Sequence, residues 1–194
     1  GARPNNRAGA GSIARSDTIT FHWKRDMLPV RVWVAAGGPI DSYVATAISR
    51  WEGAFLYGEF RAEMVADSNH ADIIVRNEPS DRPGPSIRQR LPARAPQCDG
   101  QTDLDIDPDA RTLTLPIHVY VYAVVSDNQP GIATCYSVTM THEFGHAIGI
   151  LDHSPSSGDV MFPNPAFDGI SDRDRLTAVV LYQTTPTVTI VGRR

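Results

Sequence analysis

Apolar and polar positions alternate in two short segments near the start of the chain. Residues 18–23 read TITFHW and residues 29–36 read PVRVWVAA. A period of two predicts a strand in each segment. Apolar residues then recur at helical spacing, and either Asp41 or Ser42 is expected to cap a helix that runs to about Phe55. The buried stripe of this helix is predicted to consist of Val44, Ile48, Trp51 and Phe55.

Strand patterns return after this helix. Residues 58–65 alternate, and residues 71–77 form a continuous apolar run. Because one helix lies between the second strand and these two, we expect a mixed sheet with a crossover helix. Residues 78–110 are rich in proline and aspartate and are predicted to be irregular, whereas residues 111–125 return to a strand pattern.

Two helices are predicted in the last third of the chain. The first follows Gly131 and continues through CYSVTMTHEFGHAIG. The second covers residues 170–183, with Ser171 as its cap and Asp174 at the capping-box position. Its inward-facing residues are predicted to be Leu176, Val179 and Val180. The fold class is therefore α+β.

Composition narrows the class of protein. The chain has 194 residues, 41% hydrophobic and 21% charged, with a net charge of −4 and no long basic run. We therefore expect one globular domain over residues 18–194, preceded by a flexible segment over residues 1–17, and no nucleic-acid partner. No apolar run approaches the roughly 20 residues that span a membrane. The opening residues lack the apolar part of a signal peptide, which we interpret as a mature or trimmed end.

The chain has two cysteines, Cys98 and Cys135, and both lie in loop-like sequence. Two buried free thiols are one interpretation, but a disulfide between them is favoured. The bond would join a long loop to the segment just before the histidine-bearing helix.

The most informative stretch is HEFGHAIGILDHS at residues 142–154. Residues i and i+4 lie on one face of a helix, so His142 and His146 can both point a nitrogen at one metal ion. Glu143 lies beside the first histidine, where it can exchange a proton with water at that metal. Zinc suits this arrangement because it accepts nitrogen ligands and keeps an open position. The apolar neighbours in the motif predict a buried helix, which disfavours two unrelated surface histidines.

A third ligand must come from beyond the helix. If the helix continued, His153 would lie roughly 10 Å further along the axis than His146. Gly149 can instead end the helix in a left-handed conformation and let the chain turn back. Both Asp152 and His153 are then candidates.

Together with GDVMFP at residues 158–163, this motif resembles the metzincin metalloproteases, most closely their matrixin branch. Met161 matches the methionine of the Met-turn, which lies beneath the zinc ligands in that family. The resemblance covers roughly residues 18–183. It implies a twisted mixed sheet with a crossover helix and an active-site helix. It also implies a small C-terminal lobe with the Met-turn and a terminal helix, and a zinc cleft between the lobes.

The resemblance also implies a function. The chain would be a secreted, monomeric zinc endopeptidase with His142 and His146 as ligands and Glu143 as general base and acid. An extended peptide would dock along the strand at residues 116–124, the upper rim of the cleft. Residues 161–165 would form the wall of a specificity pocket.

The third ligand differs between two alignments with the family. Without a gap, Asp152 takes the ligand position, as in the snapalysins. Matrixins have one residue fewer after the glycine, and with one inserted residue DHS at residues 152–154 aligns with the matrixin motif. We favour His153 as the ligand, with Asp152 supporting it or capping the turn.

Other metal sites and functions remain alternatives. His70, Asp72 and His118 are weak candidates for a structural zinc site, and residues 98–109 could bind calcium, although a solvated acidic loop is favoured there. A catalytically silent, zinc-stabilised binding module of the same fold is the main alternative function. A zinc hydrolase acting on a narrow, non-protein substrate is a third. The presence of Glu143 disfavours the binding module, which has no need of this carboxylate.

Overall fold

A computed structural model describes residues 19–35, 40–79, 87–88, 98–124 and 130–192. Within these residues the chain forms one mixed sheet and three α-helices. The strands are β1 (Val30–Val34), β2 (Ala62–Met64), β3 (Ile73–Arg76), β4 (Ile87–Arg88), β5 (Cys98–Asp107), β6 (Thr112–Ala123) and β7 (Thr189–Val191). The helices are α1 (Ile40–Gly53), α2 (Ile132–Ala147) and α3 (Asp172–Gln183). None of the described helices is long and apolar enough to cross a membrane.

The sheet is mostly parallel. Its order is β2-β1-β3-β6-β5-β4, and β7 also pairs with β6. Strands β1, β2, β3, β6 and β7 pair in parallel, whereas β5 runs antiparallel to both β6 and β4. Parallel neighbours need a crossover connection, which α1 supplies between β1 and β2. The predicted mixed sheet with a crossover helix is confirmed.

Helix α1 packs against α2 through the predicted stripe. Val44, Ile48 and Trp51 are buried, and the Trp51 indole N–H donates to the Thr141 carbonyl at 2.8 Å. Phe55 is buried too, although the helix ends at Gly53. The predicted start is wrong, because Asp41 and Ser42 already lie inside the helix.

Two strand boundaries differ from the sequence prediction. The described residues from 19 to 24 form no strand, and Trp23 instead buries its ring and donates its indole N–H to the Ala147 carbonyl at 3.0 Å. The apolar side chains of Phe21 and Trp23 are buried in the core, although this segment forms no strand. The predicted strand over residues 58–65 is confined to Ala62–Met64.

The largest correction concerns residues 98–107, predicted as part of an irregular, acidic segment. They form β5, which pairs with β6 from Cys98↔Ala123 to Asp107↔Thr112. Aspartate is uncommon in strands, but a long partner strand overrides this preference. Asp99 is buried and accepts a hydrogen bond from the Tyr122 hydroxyl at 2.9 Å.

Helix α3 has the predicted N-terminal cap, but the face that it turns toward the core differs from the predicted one. The Ser171 hydroxyl oxygen accepts from the Asp174 backbone N–H, and the Asp174 carboxylate accepts from the Ser171 backbone N–H, which completes a capping box. Leu176 and Val180 are 57% and 59% exposed, so the prediction that they face inward is wrong. Asp174 and Ala178 are buried instead, because the Asp174 carboxylate is anchored to the interior backbone.

Candidate metal and catalytic site

His142 and His146 lie one helical turn apart on α2 and turn the same ring nitrogen toward each other. Each Nδ1 lies 2.6 Å from a backbone carbonyl, that of Val160 for His142 and that of Ile150 for His146. A carbonyl can only accept, so both Nδ1 atoms carry the proton and both Nε2 atoms keep a lone pair. The two Nε2 atoms are 3.0 Å apart. Tetrahedral zinc ligation would place two such nitrogens about 3.3 Å apart.

His153 completes a group of three. Helix α2 ends at Ala147, and Gly149 adopts a left-handed φ of 117°, which reverses the chain. A side chain at Gly149 would collide with the Phe21 carbonyl oxygen and approach Leu181 to 3.0 Å, so both the conformation and the space require glycine. The ligand atoms of the three histidines lie within 4.8 Å of one another.

Asp152 does not belong to this group among the described residues. It lies exposed beside His153, at the turn that follows α2. The geometry therefore agrees with the alignment that selects His153, and the ligand role itself stays a prediction.

His142 is buried, His146 is half-buried and His153 is exposed, and the removal of water around each ring favours its neutral form. This desolvation lowers the pKa of His142 well below the ordinary value and that of His146 to about 4, and it also lowers the pKa of His153. The neutral imidazole is the form that ligates a metal. Three neutral nitrogen donors, two of them with a fixed tautomer, fit zinc, and the chain thus supplies ligands that need not lose a proton near neutral pH.

Glu143 projects from α2 toward β5 and is fully buried. Its Oε2 accepts a hydrogen bond from the Thr102 hydroxyl at 2.7 Å, whereas its Oε1 has no hydrogen-bond partner in the described part of the chain. Burial raises the pKa of Glu143 to about 8, and the hydrogen bond from Thr102 opposes this rise. A carboxyl group in this environment is suited to exchange a proton near neutral pH.

Met161 packs against α2 at Gly145, and its Met-turn role stays a prediction. It is 2% exposed, and its sulfur packs so closely on Gly145 that a side chain there would overlap it. The Met161 carbonyl accepts from the Ser154 backbone N–H at 2.7 Å. The residues after His153 are thereby tied back to the Met161 turn.

Asp174 connects α3 to the histidine site, which the sequence analysis missed. Its buried carboxylate accepts from the backbone N–H groups of Val160 at 2.9 Å and Met161 at 3.3 Å. Val160 in turn accepts from His142, so Asp174 holds the segment that sets the orientation of the first histidine. The capping-box spacing was a visible signal for a cap, but it carried no information about this second role.

The loop between His153 and Met161 is fixed by polar contacts. The Ser154 hydroxyl donates to the buried Asp159 carboxylate, which also pairs with Arg173 at 3.0 Å. A cavity of about 410 Å³ lies between this loop, His153 and α3. Met161 lines the cavity, and residues 162–165, predicted to form a pocket wall with it, do not.

The strand predicted to receive a peptide, residues 116–124, is not an edge strand. β6 pairs with β3 over Ile117–Tyr120 and with β5 over His118–Ala123. An extended peptide needs unpaired backbone groups, so it cannot add to β6 along most of this length. The prediction that residues 116–124 form the peptide-binding rim of the cleft is therefore wrong. The strand that contacts Glu143 is β5.

The other predicted sites have mixed outcomes. The disulfide between Cys98 and Cys135 is present and joins the start of β5 to the first turn of α2. Asp72 forms a two-point ion pair with Arg31, and no group of potential metal ligands other than the three histidines occurs in the described residues. His70, Asp72 and His118 therefore do not converge as a ligand group there, and calcium binding by residues 98–109 stays a prediction.

Comparison with known proteins does not assign the chain to a family. No protein-family model matches the chain, and no curated protein matches it significantly.

Proposed function

We propose that this chain is a zinc-dependent endopeptidase of the metzincin type, closest to the matrixins. The observation that carries the proposal is the convergence of His142, His146 and His153 beside a buried glutamate. Two of these histidines have their Nδ1 atoms bound to carbonyls, which leaves Nε2 for a metal. A chance cluster on a surface would carry no such orientation.

In this proposal the three histidines would hold zinc, which when bound would supply Lewis acidity to a water molecule and to the scissile carbonyl. Glu143 would accept a proton from the attacking water and deliver it to the leaving amine. Asp174 and Met161 support the site from below.

The proposed substrate is an extended peptide that adds to the outer edge of β5. One edge of β5 is taken by β6, and pairing on the other edge in the described part of the chain is confined to Asp99 and Gly100, opposite β4. Thr102 on β5 contacts Glu143, so a peptide on this edge would pass close to the general base. In this interpretation the zinc cleft lies between the sheet and a small C-terminal lobe.

The disulfide is compatible with an extracellular location, and we propose a secreted monomer. The alternative of a catalytically silent binding module would share the zinc and the fold. It gives no reason for a buried glutamate beside the ligands, although the burial of this carboxyl group lowers the stability of the fold.

The test compares the zinc-loaded protein, the chelated protein and a Glu143→Gln variant on denatured casein and on a peptide library. We expect cleavage by the zinc-loaded protein, loss with the chelator, and recovery when zinc is restored. Glu143→Gln should keep one zinc per chain and lose activity by about 10²–10⁴-fold. More than about a tenth of the activity in Glu143→Gln would reject the role of this residue. A fully zinc-loaded wild type that cleaves nothing would favour the binding module.

A further inference from the structure

Two residues on one face of β5 surround the Glu143 carboxylate. Gly100 and Thr102 are two positions apart in the strand and therefore face the same side, toward α2. The Thr102 hydroxyl lies 2.7 Å from Glu143 Oε2 and 3.0 Å from the Glu143 carbonyl oxygen. A hydroxyl has one proton to donate, and the carboxylate is the closer and stronger acceptor.

The two carboxylate oxygens are consequently different. Oε2 is held by Thr102, whereas Oε1 is buried without a hydrogen-bond partner in the described part of the chain. An orphaned buried oxygen is costly unless it meets a ligand or water during function. Anchoring one oxygen fixes the plane of the carboxylate and leaves the other for proton exchange.

Gly100 provides the space for Oε1. A Cβ at this position would lie 2.5 Å from Glu143 Oε1 and 2.5 Å from Thr139 Cγ2, and both distances are impossible for real atoms. Glycine is thus required by the close approach of β5 to the carboxylate. The strand supplies a hydroxyl at one oxygen and, at the other, a close-packed glycine that offers no hydrogen-bonding side chain.

We propose that Thr102 is a positioning residue that orients Glu143 by holding Oε2, so that Oε1 is the oxygen that exchanges a proton with the reacting water. Thr102 touches no reacting atom, and its effect acts through Glu143. The inference rests on the proposed peptidase function, and it adds a residue that the histidine motif does not contain.

The test uses the zinc-loaded full chain with Thr102→Val, which keeps the shape and removes the hydroxyl, and Thr102→Ser, which keeps the hydroxyl. Thr102→Ala also removes the hydroxyl group and replaces the valine variant if that variant does not fold. Thr114→Val is the matched control, because Thr114 is an exposed strand threonine on β6 remote from Glu143 in the sheet register.

We expect Thr102→Val to lower kcat about 10-fold, as for loss of one hydrogen bond to a charged group, with KM within about twofold and full zinc content. Thr102→Ser should restore kcat to within about threefold of wild type, and Thr114→Val should leave it unchanged. If Thr102 only filled space, valine would preserve kcat and serine, which is smaller, would not improve on it. A loss of kcat in the valine variant that serine restores therefore points to the hydroxyl. An unchanged kcat in Thr102→Val, or a serine variant as slow as the valine variant, would overturn the proposal.

Crystal structures of the same zinc-loaded variants separate this proposal from the peptidase function. The Glu143 carboxylate should rotate away from its wild-type position in Thr102→Val and keep it in Thr102→Ser. If wild type cleaves no peptide, the peptidase function fails, and the rotation still decides the positioning role. An unmoved carboxylate in Thr102→Val would overturn that role whatever the activity.

Discussion

The imidazole rings of His142 and His153 stack with their centroids 5.2 Å apart and their planes at 26°. One ring comes from the interior of α2 and the other from the chain that turns back after Gly149. His146 lies edge-on to both rings, at 4.7 Å and 5.1 Å. Three rings from two segments thus enclose one point, and this arrangement leads to the first prediction.

His153→Ala should lose zinc under mild chelation, whereas Asp152→Ala should retain it. The reason is that His153 belongs to the group of converging ligand atoms and Asp152 does not. Zinc content after dialysis against a weak chelator, measured by mass spectrometry, gives the answer. Retention of zinc by His153→Ala together with its loss from Asp152→Ala would show that the ungapped alignment is correct.

The pH dependence of stability should reveal the buried Glu143 in the metal-free protein. Its pKa is raised from 4.5 to about 8, so the folded state holds a proton that the unfolded state releases above about pH 4.5. The stability that this proton contributes is lost as the pH rises toward 8. Glu143→Gln has no such proton, so its stability relative to wild type should increase between about pH 4.5 and 8, by a few kcal/mol, and then level off.

Urea unfolding of the two metal-free proteins from pH 4.5 to 9 measures this difference. The buried histidines are common to both proteins, so their contributions largely cancel. A difference in unfolding free energy that stays constant with pH would contradict the raised pKa.

Replacing both cysteines with alanine should destabilise the fold. The bond joins residues separated by 37 positions, and in the chain-entropy account it stabilises by roughly 4 kcal/mol. Guanidinium unfolding of wild type and of Cys98→Ala/Cys135→Ala gives the difference. Thiol titration of denatured, unreduced wild type should find no reactive thiol, and two reactive thiols would refute the bond.

Gly145→Ala should disturb the support beneath the histidines. The added Cβ would overlap the Met161 sulfur and lie 2.8 Å from Trp51 Cζ2, so we expect a loss of about 1–3 kcal/mol. Gly53→Ala at the end of α1 is the matched control, because no atom lies within 4 Å of its added Cβ. Thermal unfolding of both variants measures the effect, and equal stabilities would show that Met161 moves aside without cost.

The sequence alone was sufficient for features that depend on local geometry. The spacing of His142 and His146 brings two imidazoles to one face because the helical repeat is 3.6 residues. The cap at Ser171 and the stripe around Trp51 follow from the same local rules, and the structure has both. The disulfide partners were predictable because only two cysteines occur in the chain.

Only the tertiary structure decided the features that depend on distant neighbours. Residues 98–107 become a strand because β6 offers a partner, although their own composition favours a loop. Helix α3 turns Asp174 inward because backbone N–H groups near Met161 bind its carboxylate, and Leu176 is exposed as a result. The grouping of His153, and not Asp152, with the two helix histidines depends on the path after Gly149. The contact of Thr102 with Glu143 depends on how closely β5 approaches α2. Such contacts join residues far apart in the chain, so no local pattern specifies them.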